Sequence, residues 1–367
     1  MRKQLSPQDV LDFYKSKGLP ESFCPVPFST LLFEANGKVC MCRRKGTDFT
    51  IGDMRTQTYE EIWNGETLKG IRREFLTGNV KTCAVEVERD LCHLGADTAE
   101  LLPFIEFNEV QSRSPIRITP NFNGYCNLEC VMCHIWQFPN GFYDQIDFWP
   151  KLEKEIIPHL KEIDTFSGEP FLQKDTFRLI DLVTKISPDV IWSFTTNGNW
   201  LLNDYIRSYL DKIPIKTFSL SIDSFNSENY QKIRRKGSLE KVLENFTRLK
   251  AYEAERLSKG QSALGLTVHV VIQKGNWQEV PEIVEFRKKN DIRLNLNCLL
   301  EPVELSLTQM SWEERKKIVY FYLQALDAEG LRSAATLIRT LLGDWPPIEK
   351  AQFLLCFKSK IARDLGK

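Results

Sequence analysis

From about residue 115 onward, short apolar runs rich in β-branched and aromatic residues alternate with stretches whose apolar positions recur at helical spacing. The strand-like runs are 116–119, 162–166, 190–195, 216–222, 266–272 and 293–298. Helical patterns fill the intervals at 148–160, 176–186, 203–212, 239–257 and 278–290, and another, 311–329, follows the last strand. Strands alternating with helices predict βα units on a parallel sheet, and this many in succession predict an α/β fold, a partial (β/α)6 TIM-like barrel. Such a fold places its chemistry on the loops beyond the C-terminal ends of the strands.

The chain before Pro115 carries a different pattern. Two strand-like runs, 28–33 and 38–43, flank Glu34-Ala35-Asn36-Gly37, and Asn-Gly between such runs predicts a β-hairpin. Residues 59–63 and 66–76 have the spacing of short helices. The organisation expected is a small N-terminal hairpin domain over 1–95, a linker over 96–114, the βα core over 115–302 and a helical segment over 303–367, interrupted at Pro346-Pro347.

Charge narrows the function classes. Lys+Arg and Asp+Glu both number 49, so no global field draws the chain to nucleic acid or to anionic lipid. The first residues lack the apolar stretch of a signal peptide, and no segment is apolar for long enough to span a bilayer. A cytoplasmic protein without nucleic-acid or membrane partners is the expectation. Of ten cysteines, eight fall between Cys24 and Cys133; without a secretory signal, that density predicts metal binding rather than disulfides.

Cys126, Cys130 and Cys133 stand at C-x3-C-x2-C spacing just after the first strand of the βα core. Three thiolates can hold three irons of a cubane cluster and leave the fourth open to a small molecule. Structural zinc would want four protein ligands, and His134, next to Cys133, is badly placed to be the fourth.

This triplet, followed by small polar motifs at successive strand ends, resembles the radical S-adenosylmethionine (SAM) superfamily. Ser167-Gly168-Glu169-Pro170 after the second strand is similar to the family's Gly-Gly-Glu-Pro motif, with Ser167 in place of the first glycine. Met132 stands where the family commonly has an aromatic residue. The resemblance implies a SAM-binding [4Fe–4S] cluster on Cys126, Cys130 and Cys133. It also implies cofactor contacts from Gly168, Glu169, Pro170, Thr196, Asn197, Ser221 and Asp223, with Arg234 pairing the SAM carboxylate. A guanidinium fork suits a carboxylate.

The N-terminal segment resembles the family's auxiliary-cluster domain, known as SPASM or, in shorter form, twitch. Cys24, Gly37 and Cys42 match its C-x9–15-G-x4-C pattern, and Gly52-Asp53 and Glu61-Ile62-Trp63-Asn64 match later signposts. The expected C-x2-C-x5-C element reads Cys83, Glu86, Cys92, so one thiolate is missing from it. The resemblance implies one auxiliary [4Fe–4S] cluster on Cys24, Cys42, Cys83 and Cys92, with Cys40 or Glu86 as an alternate ligand; zinc on the same four thiols is the other reading. His93, beside Cys92, is a further understudy.

What the resemblance implies for activity is reductive cleavage of SAM to a 5′-deoxyadenosyl radical, with electrons from a flavodoxin or ferredoxin-type donor. The substrate expected is a small biosynthetic molecule, the auxiliary cluster assisting its oxidation. The alternative is a ribosomal-peptide maturase; only residues 1–23 precede the first cysteine, too few for a leader-binding module. Cys298, ending the sixth strand of the core, is a candidate hydrogen donor with burial as a small apolar residue as its other reading. His159 and His269 read as packing residues, and Cys356 as structural.

Overall fold

The computed structural model describes residues 5–43, 49–84, 92–95 and 99–366. Its strands are β1 (Thr30–Phe33), β2 (Lys38–Cys40), β3 (Thr50–Asp53), β4 (Arg117–Pro120), β5 (Glu129–Cys130), β6 (Glu162–Thr165), β7 (Ile191–Thr196), β8 (Ile215–Ser221), β9 (Arg234–Arg235), β10 (Leu266–Ile272) and β11 (Arg293–Cys298). The six strands expected after residue 115 form as β4, β6, β7, β8, β10 and β11. The chain divides into two compact units, Met1–Tyr125 with Gln137–Ser193 and Ser208–Pro214, and Cys126–Trp136 with Phe194–Arg207 and Ile215–Lys367.

In the first unit the strand order is β6-β4-β1-β2-β3. β1 and β2 make the hairpin, with Leu32 opposite Cys40 and Phe33 opposite Val39. The turn closes through Glu34 N–H, which donates to Lys38 O at 2.8 Å, and Gly37 N–H, which donates to Glu34 O at 2.9 Å. The hairpin does not stand alone, because β1 pairs in parallel with β4, Phe33 opposite Pro120. All four β1 residues are buried, so an isolated hairpin would have left one apolar face in water. Phe33, Phe122, Tyr143 and Phe148 fill the space beside it, the rings of Tyr143 and Phe148 lying 4.7 Å apart.

The helix expected over 148–160 is broken into a single turn at Trp149–Lys151, a π segment at Leu152–Ile156 and a 3-10 turn at Ile157–His159. Pro158 explains the break, since it has no N–H to donate and its ring crowds the carbonyl four residues back.

The signposts at 52–64 are packing devices. A Cβ on Gly52 would lie 2.5 Å from Ile62 Cγ1, so the helix Tyr59–Trp63 sits on β3 at a distance only glycine allows. Trp63 Nε1 donates to Arg113 O at 2.8 Å, and Asn64 Nδ2 to Gln111 O at 3.0 Å. Arg72, fully buried, adds a bond to Glu109 O at 2.9 Å. Residues 109–113, expected as linker, are therefore strapped to the helices that precede them.

In the second unit the order is β11-β10-β8, all parallel, with Ser221 opposite His269 and His269 opposite Asn295. Glu129–Cys130 and Arg234–Arg235 form a separate antiparallel ladder, Cys130 opposite Arg234. The long helix Leu239–Ser258 starts at Ser238, whose side chain accepts from Lys241 N–H. The expected helix at 311–329 ends at Ala325, and a new one, Ala328–Ser333, begins after Asp327 caps Gly330 N–H. Among the described residues no helix is long and apolar enough to cross a membrane.

Gly52→Ala should lower stability by about 1–3 kcal/mol, the range for forcing a methyl into a filled core. The urea midpoint of the variant checks this, and an unchanged midpoint would mean that the helix on β3 yields freely.

Candidate metal centres

In the second unit, Cys126–Cys133 runs as a loop broken by the short β5. Cys130 is buried, Cys126 half-buried and Cys133 exposed. All three sulfurs meet N–H donors, Cys133 through the backbone of Ile135 and Trp136. Leu128 N–H points at Cys126 Sγ at 3.4 Å, and Asn197 Nδ2 at 3.5 Å. Arg234 Nη1 lies 3.8 Å from Cys130 Sγ. Donors to sulfur favour the thiolate, the form that binds iron. Burial pushes the Cys130 thiol up, and the Arg234 guanidinium works against that rise. A bound cluster would settle the contest by taking the thiolate outright.

Arg234 is held by more than its sulfur contact. Its Nη2 pairs with Asp223 Oδ2 at 2.8 Å, both residues being buried. Burial works to lower the Arg234 pKa, but the Asp223 carboxylate and the Cys130 sulfur win and hold it above the ordinary range. Asp223 is fixed in turn, accepting from Val271 N–H at 2.8 Å, while its carbonyl accepts from Asn276 Nδ2 at 2.7 Å. Arg234 Nε is buried without a hydrogen-bond partner. One charged donor is thus unspent beside the thiols, which suits an anionic group such as the carboxylate of SAM.

The other expected cofactor residues of this unit have visible structural duties. Asn197 Nδ2 bonds Asn127 Oδ1 at 2.9 Å, and Asn127 Nδ2 bonds Asn199 O at 2.8 Å, locking the cysteine loop to the end of β7. Thr196 Oγ1 accepts from Gly198 N–H and from Trp200 Nε1. Ser221 is buried at the end of β8, beside His269. His269 is half-buried, with its Nε2 2.6 Å from Asn297 Nδ2, so it meets a polar neighbour rather than only packing.

Cys298 lies one residue beyond Asn297 on β11, and strand alternation turns the two side chains to opposite faces. The thiol accepts from Leu307 N–H and is within electrostatic range of Arg315 and Tyr322; burial, the main effect, pushes it up to about 11.

In the first unit, Ser167-Gly168-Glu169-Pro170 follows β6 as a clamped turn. Gly168 has φ +58, and a Cβ there would lie 2.3 Å from Tyr125 O. Glu169 N–H donates to that same carbonyl at 2.9 Å. Glu169 is fully buried, its carboxylate accepting from Phe171 N–H at 3.3 Å, and Pro170 opens the 3-10 turn that follows. Gln173, absent from the sequence reading, closes the clamp, its Nε2 reaching Tyr125 O and Ser167 O at 2.9 Å and Asn123 O at 3.0 Å. The turn thereby fixes Tyr125, directly ahead of Cys126 in the chain.

Cys24 lies within electrostatic reach of Cys42, Cys92 and Cys83. Burial first, and those neighbouring sulfurs after it, push its thiol well up, offset in part by a backbone N–H bond from Val26. Arg43, next to Cys42, pairs with Asp164 at 2.8 Å and lies over the Phe166 ring, anchoring the Cys42 loop to β6. Cys40 is fully buried in β2 and faces the surroundings of Tyr143. Glu86 lies outside the described residues, as does the side chain of His93. Among the described residues no three His, Cys, Asp or Glu side chains converge on one point as the ligands of a single ion would. The thiolates of a cubane each bind a different iron, so a cluster does not require that convergence.

Two thiol sets on a parallel α/β scaffold, one with three sulfurs and a spare charged donor, suit iron–sulfur clusters. The family follows from comparison. The radical SAM superfamily model matches residues 121–287, and that of the SPASM iron–sulfur cluster-binding domain matches residues 24–92. The chain is a radical SAM superfamily protein whose SPASM domain lies in its N-terminal part, and its cofactors are iron–sulfur clusters and SAM.

Curated relatives are GTP 3′,8-cyclases. The one from Aliarcobacter butzleri is 29% identical over 44% of this chain and 49% of its own length. That from Listeria welshimeri is 25% identical over 60% and 63%, and that from Nautilia profundicola 25% over 48% and 54%. The chain thus spans about half to two-thirds of the length of these relatives. Among solved structures, Streptococcus suis SuiB bound to S-adenosylmethionine aligns with TM-score 0.39 and 14% identity over 80% of this chain and 66% of that one. The structure anSMEcpe with bound AdoMet aligns with TM-score 0.40 and 18% identity over 57% and 58%.

Arg234→Met should cost about 3–5 kcal/mol, because it strands the buried Asp223 carboxylate. Adding Asp223→Leu should recover a large part of that loss, read as thermal midpoints of the single and double variants. Equal loss in both would show that the pair is not the source.

Proposed function

We propose that this protein is a radical SAM enzyme that acts on a small-molecule substrate, with the N-terminal thiols holding an auxiliary cluster that assists oxidation. When bound, the Cys126–Cys133 cluster and SAM supply a 5′-deoxyadenosyl radical that takes a hydrogen atom from a substrate C–H bond. The observation that carries the reading is the set of three loop thiols backed by N–H donors, with Arg234 Nε unspent beside them. In this reading Cys126, Cys130 and Cys133 hold the cluster and Arg234 pairs the SAM carboxylate. Thr196, Asn197, Ser221 and Asp223 of the same unit shape the rest of the cofactor site. Cys24, Cys42, Cys83 and Cys92 hold the auxiliary cluster. The GTP 3′,8-cyclase relatives are named for a small-molecule substrate, which supports the same side of the alternative.

Anaerobically reconstituted protein should cleave SAM reductively to 5′-deoxyadenosine, and Cys126→Ala, Cys130→Ala and Cys133→Ala should each abolish it. Reconstituted wild type should carry about eight irons, and the triple Cys→Ala variant roughly four. Wild-type 5′-deoxyadenosine from any single variant, or zinc in place of iron in the triple variant, would break the corresponding assignment.

A separate outcome addresses the auxiliary site. Cys24→Ala and Cys83→Ala should spare SAM cleavage while blocking product formation, measured once a substrate is in hand. Full turnover by folded Cys83→Ala lacking the second cluster would reduce that cluster to a structural staple.

A further inference from the structure

Two hydrogen-bond acceptors in the first unit are buried without partners. Glu34 directly follows β1 and Asn121 directly follows β4. The strands are parallel with Phe33 opposite Pro120, so Glu34 and Asn121 come side by side just beyond their C-terminal ends. Asn121 Nδ2 donates to Glu34 Oε1 at 3.4 Å. The two residues are 3% and 1% exposed, yet Glu34 Oε2 and Asn121 Oδ1 have no hydrogen-bond partner.

The carboxyl is also fixed in place. Glu34 O accepts from the Tyr143 hydroxyl at 2.8 Å and from Gly37 N–H, which pins the backbone from both sides. Burial pushes its ionisation up to about 7, the Asn121 amide pulling the other way, and among the described residues no cationic side chain offsets the charge.

Two adjacent acceptors, one of them an ionisable carboxyl, call for a group with several donors, no acceptor of its own and a positive charge. An ammonium group meets all three conditions. A water molecule would supply the donors and leave the charge unopposed. The position beyond parallel strand ends is where α/β folds bind ligands.

We propose that Glu34 and Asn121 form a receptor for the ammonium group of an amine-bearing ligand. That this ligand is the substrate rests on the radical SAM reading above; the binding itself does not.

The probe is methylammonium chloride, with sodium chloride at equal ionic strength as control, on the reconstituted full-length protein. Carbon NMR of glutamate labelled at the side-chain carboxyl follows Glu34, assigned by the signal lost in Glu34→Gln. Saturating methylammonium should lower the Glu34 midpoint by about one unit or more, about a tenfold preference for the charged form. Asn121→Leu should weaken that response by about tenfold.

Stability supplies an independent reading. The unfolded carboxyl ionises near its ordinary value of 4.5 and the folded one near 7, so stability is full below the first and is lost as pH rises through the second. Thermal midpoints should therefore fall between about pH 5 and 8 in wild type and not in Glu34→Gln, and methylammonium should restore the wild-type value at about pH 8. A Glu34 midpoint moved no further by methylammonium than by sodium overturns the receptor and leaves a buried water as the partner. SAM cleavage on the same samples separates the two readings, since its loss with methylammonium binding intact defeats only the enzyme assignment.

Discussion

Buried negative charge is the constraint on which the second unit is organised. The Asp223 carboxylate is closed to solvent and Cys130 must become a thiolate to bind iron, and one guanidinium, Arg234, stands between them. Arg234 is also a strand residue, opposite Cys130 in the short ladder, so the backbone bridge and the ion pair enforce one geometry. Asp223 carries the constraint outward through Val271 N–H and its own carbonyl to Asn276, which ties the end of β10 to the same point. Removing any one partner would leave a charge in a low-dielectric site, which costs far more than a surface pair is worth.

The first unit solves the complementary problem, that of buried carbonyls. Three of them, Asn123 O, Tyr125 O and Ser167 O, converge where the chain turns at Gly168, and the single amide of Gln173 serves all three. Arg72 does the same for Pro27 O and Glu109 O, although burial pulls its guanidinium down to about 9. These side chains touch no expected ligand. They hold rigid the loops that present the thiols and the Gly168–Pro170 turn, and such positioning decides whether reacting groups meet.

Much of this was legible in the chain. The alternation after residue 115 yields each strand within a residue or two, because a strand buried by helices has little freedom in where its apolar run begins. The thiol spacings were legible because loop thiols have few reasons to cluster other than metal. The parallel pairing of β1 with β4 was not: the hairpin pattern states which residues turn, and nothing in it says which edge the hairpin will join. The break at 152–159 came from proline acting on a pattern that is otherwise helical. Gln173, Asn127 and Arg72 escaped because a lone polar residue in a helix or loop has no period and no fixed spacing to betray it. At the end of β11 the alternation of side chains places Cys298 towards Arg315 and Tyr322 while its neighbour Asn297 meets His269.

The two thiol sets differ in a way that bears on their chemistry. Around Cys126 and Cys130 the sulfurs meet N–H donors and a guanidinium, which work against the burial that pushes the Cys130 thiol up. Around Cys24, burial and the neighbouring sulfurs Cys42, Cys92 and Cys83 all disfavour the thiolate, and a backbone N–H bond from Val26 opposes them. A cation at such a site would relieve both the desolvation and the crowding of like charges. The three-thiol loop is braced by Asn127, Asn197 and Arg234. A loop held by protein contacts of its own suits a cluster that keeps one iron open to a small molecule, since that position is not needed to hold the loop together.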